Sequence, residues 1–340
     1  MSSSTVVGVW VTTVAQEGVI TVADLGEFGL IAAIQALLPP VAGAEVGVGD
    51  DAAVLTIPDG RVVASTDLLV EGRHFRRDWS SADDIGRKAA AQNLADIAAM
   101  GATPISLLFG LAIPGLLPAE WVLEVTRGMV AECRRAGAAI SGGDVTDSDS
   151  VMLAITALGD LAGRHPVTRA GARPGDRVAI SAAVGRSAAG LALLAAGLPA
   201  DLPADVAAEL LAAHRRPEPD YAAGPLAAQA GATAMIDVSD GLIQDLGHVA
   251  DASEVSVDVQ VALLPGTAIL QTTADALGSD WRLWALAGGE DHALAATFPR
   301  NSQPPQTWTV IGTVGSGRGI YVDSAPWNSA GGWNHFFRSC

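Results

Sequence analysis

The stretch Ser81–Ala112, SADDIGRKAAAQNLADIAAMGATPISLLFGLA, places a capped helix directly before a buried strand. Ser81-x-x-Asp84 has the form of a capping box, in which each residue satisfies a backbone donor of the other. Gly101, just past Met100, supplies a stop signal. Within the helix, Ile85, Ala89 and Ile97 belong to an apolar side, with Met100 near its edge. Lys88, Gln92 and Asp96 recur every fourth residue and share another face, so Asp96 is able to point off the core toward a crevice. The apolar run Ile105–Ala112 then reads as a buried strand.

Working outward, residues 1–24 read as a loosely ordered extension, rich in Ser, Thr and Val and without the basic start of a secretory signal. Phe28–Leu38 reads as a short helix closed by Pro39-Pro40, and Glu45–Val48 and Arg61–Ser65 as strands ending in acidic residues. After the opening stretch come a helix over Pro118–Ala136 and strands at Ala138–Ser141 and Val151–Leu158, around a turn-rich Gly142–Ser150. The segment Gly163–Asp176, GRHPVTRAGARPGD, is the clearest boundary in the chain. Beyond it the pattern gives a strand at Arg177–Ser181, a helix from Ser187, a strand at Thr233–Val238 and a helix from Gly241 to Ala252. Strands at Ser256–Val261 and Ala293–Phe298 follow. Mixed elements with returns of unequal length predict an α+β fold in two domains, residues 25–163 and 164–340.

The 340 residues are 49% apolar, enough for two cores, and carry 37 acidic against 20 basic side chains. A net charge of −17 disfavours nucleic acid and anionic membranes as partners, and it would also repel a phosphate substrate unless cations intervene. Cys133 and Cys340 lie far apart and form no disulfide framework, which with the lack of a long apolar run predicts a cytoplasmic chain. Lys88 is the only lysine, either an ammonium that is needed or a survivor on a solvated helix face.

Acids cluster after four strand-like runs, at Gly49-Asp50-Asp51, Ser65-Thr66-Asp67, Gly142-Gly143-Asp144 and Asp237-Val238-Ser239-Asp240. Any one of these is an ordinary turn composition. Their shared grammar, with Asp96 on its helix, predicts a carboxylate cluster for hard divalent cations, which take oxygen ligands and bring phosphate oxygens with them. The cations would resolve the charge conflict. No Walker-type loop, protein-kinase catalytic loop or Gly-x-Ser-x-Gly elbow is present.

In order along the chain stand GEFGLI (Gly26–Ile31), GVGDDAAV (Gly47–Val54), STDLLVEGRHF (Ser65–Phe75), KAAAQNLADIAAMGATP (Lys88–Pro104) and SGGDVT (Ser141–Thr146). TRAGARPGD (Thr168–Asp176), IDVSDGLIQDLGH (Ile236–His248) and GGEDHAL (Gly288–Leu294) continue the series. This pattern resembles the thiamine-monophosphate kinases, within the aminoimidazole-ribonucleotide-synthetase-like superfamily. The resemblance implies an N-terminal α+β half that dimerises through a strand barrel and a C-terminal α/β half, with ATP between them. It implies that Asp51, Ser65, Thr66, Asp67, Asp96, Asp144, Asp237 and Asp240 hold several Mg²⁺ ions. It gives Gly143, Asp144, Arg169 and Ser239 to the nucleotide, and His74, Glu290 and Trp333 to thiamine monophosphate, with Lys88 or Arg169 as fixed cations. The expected product is thiamine diphosphate, formed by direct transfer without a general base. His292 departs from the pattern, which has an aromatic after Gly-Glu-Asp.

Overall fold

The computed structural model describes residues 19–49 and 52–327. Its first half runs α1 (Val22–Gln35), β1 (Ala44–Val46), β2 (Val54–Leu55), β3 (Val63–Val70), α2 (Ala82–Ala99), β4 (Thr103–Ile113), α3 (Ala119–Ala136), β5 (Ala139–Asp147) and β6 (Met152–Asp160). The second half runs β7 (Arg177–Ile180), α4 (Arg186–Ala196), α5 (Ala204–Arg215), α6 (Ala223–Gln229), β8 (Ala234–Val238) and α7 (Leu242–Ser253). It ends with β9 (Ser256–Val259), α8 (Thr267–Leu277), α9 (Trp281–Ala287), β10 (Ala293–Phe298), β11 (Thr309–Gly315), β12 (Gly319–Val322) and β13 (Ala325–Pro326).

The α+β expectation is met. Strands β3-β6-β4-β5 form one sheet in that order, antiparallel except for the parallel β4–β5 pair, whose crossover is α3. Helices α2 and α3 cover one face and enclose a core that includes Leu94, Ile97, Met129, Leu153 and Ile155. The two helices touch backbone to backbone. A β-carbon on Gly86 would fall 1.9 Å from the Val125 carbonyl oxygen, and one on Gly128 would fall 2.1 Å from that of Asp83. The second half is built on a seven-stranded sheet, β13-β12-β9-β11-β7-β10-β8, with its own core around Ile180, Ile236, Leu246 and Val257. A third apolar cluster joins the halves, where Ala98 and Ala99 at the end of α2 meet Ala223, Met235 and Phe298.

The opening stretch folds as its sequence indicates. Ser81 accepts from the Asp84 amide at 3.2 Å and Asp84 accepts from the Ser81 amide at 3.3 Å, and α2 then runs to Ala99. The first helix instead begins at Val22, before the expected Phe28 and inside the segment assigned to an extension. Thr21 and Asp24 form a second capping box there, Gly26 kinks the helix at φ 65°, and Val22 is buried. Strand β3 runs on through Ser65–Val70, because residue-by-residue pairing with β6 holds it extended, Asp67 opposite Ile155. β5 likewise continues through Gly142 and Gly143. The glycines are there for closeness rather than for a turn, since a β-carbon on Gly143 would fall 2.1 Å from the Phe109 carbonyl oxygen of β4. Asp67 and Asp144 therefore sit within strands, not at strand ends.

Candidate active site between the halves

A cavity of about 1160 Å³ opens between the halves, walled by β3, the C-terminal part of α2, the Gly72–Trp79 loop, β8 with the residues after it, and the Ala287–His292 segment. Strand alternation turns Ser65 and Asp67 toward α2, which answers with polar residues. Ser65 Oγ donates to Asp96 Oδ2 at 2.7 Å, Gln92 Nε2 donates to Asp67 Oδ2 at 3.2 Å, and the Asp67 amide donates to Asn93 Oδ1 at 3.1 Å. The Lys88, Gln92 and Asp96 face is real, but Lys88 and Gln92 are buried rather than solvated. From the second half, β8 presents Asp237, whose Oδ2 lies 3.3 Å from Nδ1 of His292.

Three carboxylates thus converge where little water reaches. Burial raises the Asp96 pKa, the Asp237 and Asp67 charges raise it further, and together they place it at about 7. His292 is pulled down by burial, but the hydrogen bond and charge of Asp237 outweigh this and leave it raised. Such mutual repulsion is what a cation would relieve, and the donors are the hard oxygens that Mg²⁺ accepts. Among the described residues no three acids, histidines or cysteines stand close enough to form a ready-made metal cage.

Residues 49–161 match the family of AIR synthase related proteins, N-terminal domain. Over 318 residues the chain is 44% identical to thiamine-monophosphate kinase of Mycobacterium tuberculosis, covering 93% of each. The chain belongs to the thiamine-monophosphate kinase family of enzymes. The thiamine-monophosphate kinase structure from Stenotrophomonas maltophilia superposes with a TM-score of 0.76 at 31% identity, covering 88% of this chain and 96% of that one. AaThiL complexed with AMPPCP and TMP superposes equally well, TM-score 0.76 at 32% identity, covering 92% of this chain and 98% of that one.

Of the residues carried over from the thiamine-monophosphate kinase pattern, Ser65, Thr66, Asp67, His74, Asp96, Arg169, Asp237, Ser239, Asp240 and Glu290 line the cavity. The Thr66 hydroxyl is turned to the sheet's other face, donating to the Ile155 carbonyl at 2.9 Å. Gly143 and Asp144 do not line the cavity. They lie on β5, which β6 and β4 separate from β3, and Asp144 Oδ1 accepts from the Val145 amide at 2.9 Å. Lys88 is off the wall as well, its ammonium paired with Glu290. Asp51, preferred over Asp50 in its pair, and Trp333 lie outside the described residues.

Several residues that build the site lie within the quoted motifs but were given no role there. Asp245, one turn into α7, accepts the amides of Ser239, Asp240 and Gly241 at 3.0, 3.0 and 3.1 Å and so folds the loop after β8. Burial and the Asp237 charge put its pKa at about 7. Asp291 caps α4 through the amides of Gly185 at 2.5 Å and Ser187 at 2.9 Å. Arg73 lines the cavity with no carboxylate partner among the described residues, as does Arg169, whereas Arg76 is committed to Asp78 and Trp79. An acid a few residues after a strand end was the available signal for Asp245. For Arg73 the signal was its place beside His74 in the STDLLVEGRHF stretch.

Proposed function

We propose that this chain transfers the γ-phosphoryl group of ATP to thiamine monophosphate, giving thiamine diphosphate, at a Mg²⁺ site in the cavity between the halves. The convergence of Asp67, Asp96 and Asp237 from both halves is the observation that carries the reading. Asp67, Asp96 and Asp237, with Ser65 and Asp240, would hold the ions, and the family pattern adds Asp51. Bound there, Mg²⁺ neutralises charge on the transferred group and lets two anions share an acidic site.

Arg169 and Ser239 contact the nucleotide, and His74, Glu290 and Trp333 the acceptor. His74 is fixed by its own loop, Nδ1 accepting from the Val70 amide at 3.0 Å. Glu290 presents a carboxylate to the cationic thiazolium, and Arg73 places a fixed charge for the acceptor phosphate. That phosphate, with a second pKa of about 6, is mostly dianionic at neutral pH and attacks in line without a general base. The open face of the four-stranded sheet is the surface through which two copies would pair.

The test is incubation of the protein with ATP, Mg²⁺ and thiamine monophosphate, followed by chromatography for thiamine diphosphate. No product from folded protein overturns the reading. Asp67→Asn should lower turnover by about two orders of magnitude or more with the fold intact, as expected for loss of transition-state charge stabilisation.

A further inference from the structure

Lys88 is 2% exposed, and its ammonium is held by two groups of the other half. It forms an ion pair with Glu290 Oε2 and donates to the His214 carbonyl at 3.3 Å. The helix thus reaches across the joint to hold a residue of the cavity wall. Glu290 itself is poised rather than relaxed. Its backbone sits at φ 67°, its amide donates to the Ser239 carbonyl at 2.7 Å, and its side chain remains 31% exposed on the cavity side. A left-handed backbone at a non-glycine residue is unfavourable unless its surroundings fix it.

We propose that Lys88 is a positioning residue that holds the Glu290 carboxylate aimed into the cavity, opposite the acceptor's cationic ring. It does not itself bind phosphate. The inference rests on the proposed function, because it needs a cationic acceptor. The groups facing Glu290 are Lys88 from α2, His214 from the end of α5 and His292 from its own segment. Burial alone would push the Glu290 carboxyl up. The Lys88 charge and hydrogen bond outweigh it, with smaller help from His292 and His214, and hold it down at about 2. His214 is held neutral by burial and by the same ammonium, its pKa lowered to about 4, so Lys88 supplies the fixed positive charge of the group. A compact ammonium suits this enclosed position, since a guanidinium would bring five donors to satisfy.

Two ligands distinguish the roles, because thiamine has the cationic ring and lacks the phosphate. Binding of thiamine monophosphate and of thiamine is measured by calorimetry on the full chain with Mg²⁺ and a non-hydrolysable ATP analogue, for wild type, Lys88→Met, Glu290→Gln and the double variant. Lys88→Met should weaken both ligands by the same factor, about tenfold, as for one lost charge-assisted contact. KM for thiamine monophosphate should rise with it, KM for ATP should stay, and the double variant should be no weaker than Glu290→Gln. The proposal is overturned if Lys88→Met weakens only the phosphorylated ligand, if kcat falls with KM unchanged, or if the two losses multiply. Should Lys88→Met fail to fold, Lys88→Gln takes its place in the same comparison, and unchanged affinity of a folded Lys88 variant for both ligands sinks the proposal. A wild-type chain that forms no thiamine diphosphate overturns the function itself, a separate result read before any variant is made.

Discussion

Asp96 is a carboxyl whose surroundings oppose its charge. Its pKa of about 7 in the metal-free fold exceeds the ordinary carboxylate value near 3.8, so the native state binds a proton that the unfolded chain releases between those limits. Metal-free stability therefore falls as pH rises through that window, from this group. Asp245, raised by burial and by Asp237 to about the same value, adds to the slope. His214 works the other way, because its pKa of about 4 lies below the unfolded value. Its contribution is complete above about pH 6.5 and is lost as pH falls toward 4. Thermal melts in chelator across pH 5 to 8 should resolve the Asp96 part by difference. Asp96→Asn should flatten the slope and raise the metal-free melting temperature at pH 8, and Mg²⁺ at the proposed site should raise the melting temperature of wild type but not of the variant. A variant that melts lower than wild type in chelator at pH 8 would contradict the repulsive cluster. The same substitution should eliminate turnover.

At the scale of elements, α2 brings Gln92 and Asp96 to the cavity wall, and its seat depends on how close α3 comes. Gly128 faces the Asp83 carbonyl at a distance no methyl group can share, so Gly128→Ala must push the helices apart. The expected cost is about 1–3 kcal/mol, typical of overpacking, read as a lower urea midpoint. Because α2 would shift relative to β3, Mg²⁺ affinity should also fall, and a variant of unchanged midpoint would refute the contact. Local chemistry made α2 legible in advance. Its capping box, its glycine stop and the spacing of Lys88, Gln92 and Asp96 are all within one stretch. Strands β3 and β5 were cut short because their polar and glycine residues match turns, and only pairing with β6 and β4 holds them extended. The burial of Lys88 was hidden for a similar reason, since its partner Glu290 is remote in sequence and belongs to the other half. Helix α5, between Pro203 and Arg216, has a small-residue pattern that no motif marked. The four acids Asp67, Asp96, Asp237 and Asp240 were legible as residues, whereas the cavity they share arises from the joint between the halves.

For the whole molecule, the four-stranded sheet poses a question that one chain leaves unanswered. Helices α2 and α3 bury one face, and the other carries Leu68 at 52% and Leu108 at 37% exposure. Across that face Leu108 stands opposite Thr156, which pairs with Thr66, and Leu68 stands opposite Ala154. Along β3, β6 and the middle of β4 this face is small, threonine-rich and apolar, although the chain as a whole carries −17, and Asp144 of β5, opposite Gly110, adds a carboxylate at its side. A second copy offers the same apolar strip, so self-association would bury it, and a two-fold arrangement is the simplest closed one. Leu68→Glu, opposite in character and placed at the centre of β3, should convert dimers to monomers in light scattering at micromolar concentration. Because Thr66 on the open face and Asp67 in the cavity are neighbours on β3, the monomer should also hold Mg²⁺ less firmly. A wild-type chain that is monomeric at the same concentration would remove the role assigned to this face and leave the cavity chemistry untouched.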